Sequence, residues 1–169
     1  MIIRAELPSD IEIIRDLVYA AFENHPHHEP GAKPTEHLIV DQLRENGELS
    51  LSLIAGQAGG MIGHIAFSPV TIDGEDKGWY GLGPVAIVPK HQGKGFGAAL
   101  IMEGMQQIRQ RGAKGVVLLG EPKYYSRFGF QQAESLTFPG VPAEYFMQHI
   151  FEGETPTGTV AYSEAFSAK

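Results

Sequence analysis

Apolar residues recur along this chain with two periods, and the change from one to the other outlines a fold. Residues 1–5 form a short apolar run closed by Pro8 and Ser9, which predicts a strand. Ile14, Leu17, Val18 and Ala21 then repeat at helical spacing, so residues 9–23 are expected to be a helix capped by Ser9 or Asp10. Residues 24–34 hold three prolines and a glycine and must form a loop. Thr35 is placed to cap a second helix, 35–46, with Leu38, Ile39 and Leu43 on one face and Gly47 at its end.

From residue 49 the period shortens. Residues 49–55 and 61–72 read as strands, joined by the turn Ala58-Gly59-Gly60. Asp73-Gly74 marks a further hairpin, and 79–88 reads as a third strand, interrupted by Gly81, Gly83 and Pro84. After a loop over 89–95, Phe96, Leu100, Ile101, Met105 and Ile108 restore the helical period until Gly112. Residues 115–119, Gly-Val-Val-Leu-Leu, suit a strand buried on both faces. A helical turn near 123–128, a strand from Gly129 and tail strands near 146–151 and 158–162 complete the chain. Three antiparallel strands followed by a strand–helix–strand crossover predict an α/β (α+β) domain, its mixed sheet flanked by helices on both faces.

Composition narrows the possibilities. The chain has 169 residues, enough for one compact core, so residues 1–169 are expected to be one domain with a β-rich extension over about 136–169. Thirteen Lys and Arg against twenty Asp and Glu leave a formal charge of −7. That balance offers no basic face for nucleic acid and no polybasic membrane anchor. The absence of cysteine removes a thiolate nucleophile, an acyl-cysteine intermediate and every cysteine-ligated metal site. The first ten residues hold no 7–15-residue apolar stretch, and no run of about 18 apolar residues occurs. A cytoplasmic protein is the expectation.

The chemistry concentrates in residues 82–101. A strand runs into Gln92-Gly93-Lys94-Gly95-Phe96-Gly97, and a helix begins at once. Unshielded backbone N–H groups at a helix N-terminus cradle phosphate, helped by the helix dipole. Lys90, His91 and Lys94 make this spot locally positive on an acidic chain. The segment therefore reads as a phosphate or pyrophosphate binder; the bland reading is a glycine-rich turn with no ligand. The spacing of an ATP-type phosphate loop is missing, because Gly95 follows Lys94 and no glycine stands five positions before Gly93. A dinucleotide-type glycine pattern does occur at Gly81-Leu82-Gly83-Pro84-Val85-Ala86, but inside a strand instead of between strand and helix.

Gln92-x-x-Gly95-x-Gly97 after Val85-Ala86-Ile87-Val88-Pro89 resembles the acyl-CoA-binding motif of the GNAT superfamily of N-acetyltransferases. A second segment, Tyr124-Tyr125-Ser126-Arg127-Phe128-Gly129-Phe130, is similar to that family's aromatic-Tyr-x-x-x-Gly-Phe stretch, and the order of elements agrees over about residues 1–135. The strings around Gly63, Gly81 and Gly120 look closer still to a bacterial branch of predicted N-acetyltransferases. The resemblance implies a splayed central sheet and an N-acetyltransferase that uses acetyl-CoA, with CoA as product and no metal. Val85, Ala86 and Ile87 would bond the pantetheine arm like a neighbouring strand. Gln92, Gly93, Lys94, Gly95, Phe96, Gly97 and Ala98 would hold the pyrophosphate. Gly81, Gly83 and Pro84 would form the bulge that splays the sheet, and an N–H near it would polarise the thioester. Tyr125 would protonate the departing thiolate, and Tyr124 is expected to pack. Many members carry an asparagine about seven positions before the tyrosine; here that position is Leu118.

Other polar residues leave choices open. His25-Pro26-His27-His28-Glu29 invites a metal reading, but the prolines forbid the regular helical spacing such ligands use, so a solvated loop or acceptor-site lid is expected instead. The general base remains open between His64, Glu29, His28 and a water chain, and a structural role for His64 competes with that of base. Trp79 and Ser68 are candidates for the acceptor side. The acceptor is an amine, on a small molecule, a peptide N-terminus or an aminoglycoside; a homodimer is left open. A non-catalytic acyl-CoA sensor on the same scaffold is the competing class, and the presence of Tyr125 favours the enzyme.

Overall fold

The computed structural model describes residues 1–23 and 31–169. The helices are α1 (Ile11–Phe22), α2 (Glu36–Glu45), α3 (Phe96–Gln110) and the short α4 (Pro122–Tyr125). The strands are β1 (Ile2–Ala5), β2 (Leu51–Gln57), β3 (Gly60–Pro69), β4 (Thr71–Ile72), β5 (Trp79–Ile87), β6 (Gly115–Leu119), β7 (Gln131–Gln132), β8 (Leu136–Thr137), β9 (Phe146–Ile150) and β10 (Gly158–Ala161).

Seven strands form one mixed sheet in the order β1-β2-β3-β5-β6-β9-β7. Every neighbouring pair is antiparallel except β5 and β6, which α3 connects as a crossover. The strand alternation sorts the core. Leu53 and Ala55 of β2 and Ile65 and Phe67 of β3 pack with Leu100, Ile101, Met105 and Ile108 of α3. The intervening Ile54, with Ala86 of β5, packs with Ile14, Leu17, Val18 and Ala21 of α1 and Val40 of α2. Helices therefore cover both faces, as the pattern predicts.

Local details differ from the sequence expectation. The strand expected over 61–72 divides at Val70, because β4 leaves the main sheet to join β10 and β8 in a small second sheet. The strand expected from Gly129 shortens to two residues, and β8 was not foreseen. Asp10 does not cap α1 with its side chain. Its carboxylate instead accepts from the Leu7 N–H at 2.7 Å and from both terminal nitrogens of Arg4, which ties β1 to the turn before α1. Thr35 stands at the start of α2, but its hydroxyl makes no capping bond. Among the described residues no helix is long and apolar enough to cross a membrane.

The sheet opens at its centre. Pairing between β5 and β6 covers Trp79–Gly115, Tyr80–Val116 and Gly81–Val117, and goes no further. Beyond that point β6 stays with β9 through Leu118 and Leu119, while β5 stays with β3. Ile65 faces Val85 and Phe67 faces Leu82, so two steps along β3 match three along β5. The extra residue is a bulge at Gly83-Pro84, where proline has no N–H to give a ladder. The outcome is a V-shaped slot whose β5 wall, from Leu82 to Ile87, has no strand on its β6 side.

Candidate active site

The slot leads to the start of α3. Gly93 and Gly95 adopt left-handed backbone, with φ of 76° and 87°. Nothing lies within 4 Å of the position a Cβ would take at either, so their requirement for glycine is conformational, not spatial. The turn they create leaves the N–H groups of residues 93–98 without a backbone acceptor; the ladder of α3 begins with the Ala99 N–H bonded to the Gly95 carbonyl. Six successive donors without a backbone acceptor thus stand at the positive end of a 15-residue helix, the arrangement that suits an anion.

Gln92 bonds back onto the chain before it. Its backbone N–H donates to the Pro89 carbonyl, and its side-chain amide donates to the Ile87 carbonyl at 2.9 Å. With both groups engaged, Gln92 braces the loop against the end of β5. Gly97 also differs from the other two glycines. Its backbone is ordinary helix, and a Cβ there would lie 3.5 Å from the Tyr124 hydroxyl oxygen and 3.7 Å from Ile87 Cγ1.

The opposite wall carries the tyrosines. Pro122 opens α4 and Gly129, with φ of 88°, ends the turn that follows it. Tyr125 lies against the end of β6: a Cβ on Gly120 would fall 2.3 Å from the Tyr125 ring, so glycine there admits the ring. Phe128 and Phe130 flank it. Burial, with a smaller contribution from the neighbouring Tyr124, pushes the Tyr125 phenol up to about 12. The group therefore stays protonated at neutral pH and is available as a proton donor. Tyr124 stands edge-on to Tyr125 and lies under the Arg127 guanidinium, 4.8 Å from its ring centre.

His64 does not open onto the slot. It is fully buried on β3, and its Nε2 lies 2.7 Å from the Ser52 hydroxyl oxygen, which in turn lies 2.5 Å from Glu6. Arg44 grips Glu6 with two bonds of 2.9 Å. Although burial works to raise it, these contacts hold the Glu6 carboxyl below its ordinary value. An ionised Glu6 orders the chain: Ser52 donates to Glu6 and His64 Nε2–H donates to Ser52. Burial pushes the imidazole down to about 4. This is a structural histidine, and neither Glu6 nor Ser52 was singled out in the sequence. Ser68 and Trp79 are likewise buried, at 0% and 2% exposure, and do not line an open acceptor surface. The candidates His25, His27, His28 and Glu29 lie outside the described residues. Among the described residues no group of three or more acidic or histidine side chains is placed to hold a metal.

The buried imidazole has a measurable consequence. Its folded pKa lies below its unfolded value near 6.5, so the unfolded chain binds the proton first as pH falls. Stability from this group is complete above pH 6.5 and is lost as pH falls from 6.5 towards 4. The loss reaches about 3 kcal/mol at most. Urea unfolding at pH 7.5 and 5 should show wild type losing more stability than His64→Gln; equal losses would contradict the assignment.

A depression of about 500 Å³ lies at the β1 edge against Met1, Ile2, Ile13, Gly56 and Met61, away from the slot. Its lining is mainly apolar, and its Arg4 and Asp10 are already paired with each other.

Comparison with known proteins agrees with this geometry. The family model described as "Acetyltransferase (GNAT) family" matches residues 11–130. The chain belongs to the GNAT acetyltransferase family. Membership makes it an acyltransferase, and the matched span contains the bulge, the loop and both tyrosines. The chain is 36% identical over 174 residues to the uncharacterized N-acetyltransferase YhbS of Escherichia coli K12, covering 99% of each. A crystal structure of E. coli YhbS in complex with CoA is 37% identical, with a TM-score of 0.87 over 98% of this chain and 91% of that one. A GNAT family acetyltransferase from Brucella melitensis, crystallised with acetyl-CoA, is 46% identical, with a TM-score of 0.85 over 98% and 97%.

Proposed function

We propose that this GNAT protein transfers the acetyl group of acetyl-CoA to an amine by direct attack within a ternary complex. The observation that carries the reading is the continuity of the slot: a strand wall without a partner runs from a bulge to six free N–H donors, with a protonated phenol on the opposite wall. In this reading the pantetheine arm lies along that path, with the thioester near the bulge and the pyrophosphate at the helix start. Val85, Ala86 and Ile87 offer backbone groups to the arm; residues 93–98 hold the diphosphate, steadied by Gln92. Crystals of relatives with acetyl-CoA and CoA support the ligand.

The reaction then requires few steps. The ammonium loses a proton, and the free nitrogen attacks the thioester carbon. An N–H near the bulge stabilises the negative oxygen that develops. As the C–S bond breaks, the Tyr125 hydroxyl gives its proton to the thiolate, and the extra proton on the new amide nitrogen returns, through water, to the tyrosinate. With His64 buried, a water chain is the base we favour for the first proton. No cysteine exists to carry the acyl group, which agrees with direct transfer. We read residues 1–169 as one acyl-CoA-binding domain, with about 136–169 as its extension; near-complete coverage by the relatives supports this.

Thiol release from acetyl-CoA, measured across small amines, peptide N-termini and aminoglycosides, tests the reading. Release that rises with one amine class and saturates is expected. Tight CoA binding without amine-dependent release from any class would favour the non-catalytic sensor instead.

A further inference from the structure

Three kinds of uncommitted hydrogen-bond donor meet at the mouth of the slot. The first is the row of free N–H groups over residues 93–98. The second is the Tyr124 hydroxyl, which stands beside Gly97 in the first turn of α3, 3.5 Å from where a Cβ would be. The third is the Arg127 guanidinium, stacked on the Tyr124 ring and in no ion pair among the described residues. No carboxylate from the described residues pairs with this group, so the donors lack an acceptor of their own. A packing tyrosine needs only its ring in the aromatic cluster with Tyr125 and Phe128; its hydroxyl is instead carried across the slot from α4 to α3.

We propose that Tyr124 and Arg127 form the α4 side of the pyrophosphate site, so that the diphosphate is clamped between α3 and α4 and not held by the glycine loop alone. The proposal rests on the acetyl-CoA reading above. Tyr124 donates its hydroxyl to a diphosphate oxygen. Arg127 adds its charge and, through the stacked ring, fixes where that hydroxyl points. Tyr124 is therefore a cofactor-binding residue, distinct in role from Tyr125 beside it. A packing role was the expectation from sequence; the position of the hydroxyl is what revises it.

The test is calorimetric titration of wild type, Tyr124→Phe and Arg127→Gln with CoA, dephospho-CoA and pantetheine. Tyr124→Phe keeps the ring and removes one donor to a charged group, so CoA affinity should fall about tenfold or more. Arg127→Gln should weaken CoA several-fold and flatten the dependence of binding on salt. Both losses should persist with dephospho-CoA, which retains the diphosphate, and vanish with pantetheine, which lacks it. Losses that vanish with dephospho-CoA would assign the pair to the 3′-phosphate and overturn the proposal. Losses that persist with pantetheine would place Tyr124 at the thiol end, which also overturns it, as would unchanged CoA affinity in both variants. Arg127 is an exposed residue, so its variant gives the answer even should Tyr124→Phe melt early. Wild type failing to bind CoA would remove the donor reading itself, an outcome separate from all of these.

Discussion

Tyr125→Phe is expected to lower the rate constant for acetyl transfer by about 10²–10⁴, with little change in the Michaelis constant for acetyl-CoA. The substitution keeps the ring that fills the space beside Gly120 and between Phe128 and Phe130, so folding should be close to wild type. What it removes is the proton for the leaving thiolate. Burial both helps and limits that proton transfer. It keeps the phenol protonated, so a donor is present at each turnover, but it also disfavours the tyrosinate left behind. A phenol near 12 is a weaker acid than the thiol it serves, which places the expected loss nearer 10² than 10⁴. The neighbouring tyrosine gives the contrast: Tyr124→Phe should raise the Michaelis constant for acetyl-CoA and leave the chemical step nearly untouched. A crippled rate in Tyr124→Phe with a normal one in Tyr125→Phe would exchange the two roles.

Gly95→Asp should weaken acetyl-CoA binding by about 10²-fold, since like charges brought together cost several kcal/mol and each 1.4 kcal/mol is tenfold. The left-handed backbone at this position disfavours any side chain, although aspartate tolerates it better than most residues. Open space surrounds the new Cβ, so no clash follows. A carboxylate just before α3 also suits the helix dipole, which helps the variant fold. That same carboxylate would accept from the N–H groups over 93–98 and compete with the diphosphate for them. The loss should therefore appear in the binding constant, with the melting temperature little changed.

How much of this was legible in the sequence depends on how far apart the interacting residues are. The crossover β5-α3-β6 announces itself locally, because the period changes from two to 3.6 within ten residues and the glycine loop marks the join. The bulge was visible as Gly83 and Pro84, whereas Gly81, grouped with them in the sequence, pairs regularly with Ser68 and Val117. The positions that the Gln92 amide and the Tyr124 hydroxyl take were not visible. Motif spacing puts Gln92 in the loop, but only the three-dimensional turn shows its amide reaching back to Ile87. Tyr124 is 27 residues from Gly97, and nothing in the local pattern says where its hydroxyl ends. The buried chain His64–Ser52–Glu6 escaped for the same reason: it joins β3, β2 and the segment just after β1 through cross-strand register, which a single strand's alternation does not encode. The small β4-β10-β8 sheet rests on two-residue pairings between distant segments, too short for any periodic signal.

Acetyl-CoA binding at the start of α3 is the claim on which the rest depends, and titration calorimetry of wild type and Gly95→Asp tests it most directly. Wild type should bind acetyl-CoA at one site per chain, and a folded Gly95→Asp variant should bind it about 10²-fold more weakly. Equal affinity in the two folded proteins would contradict the account.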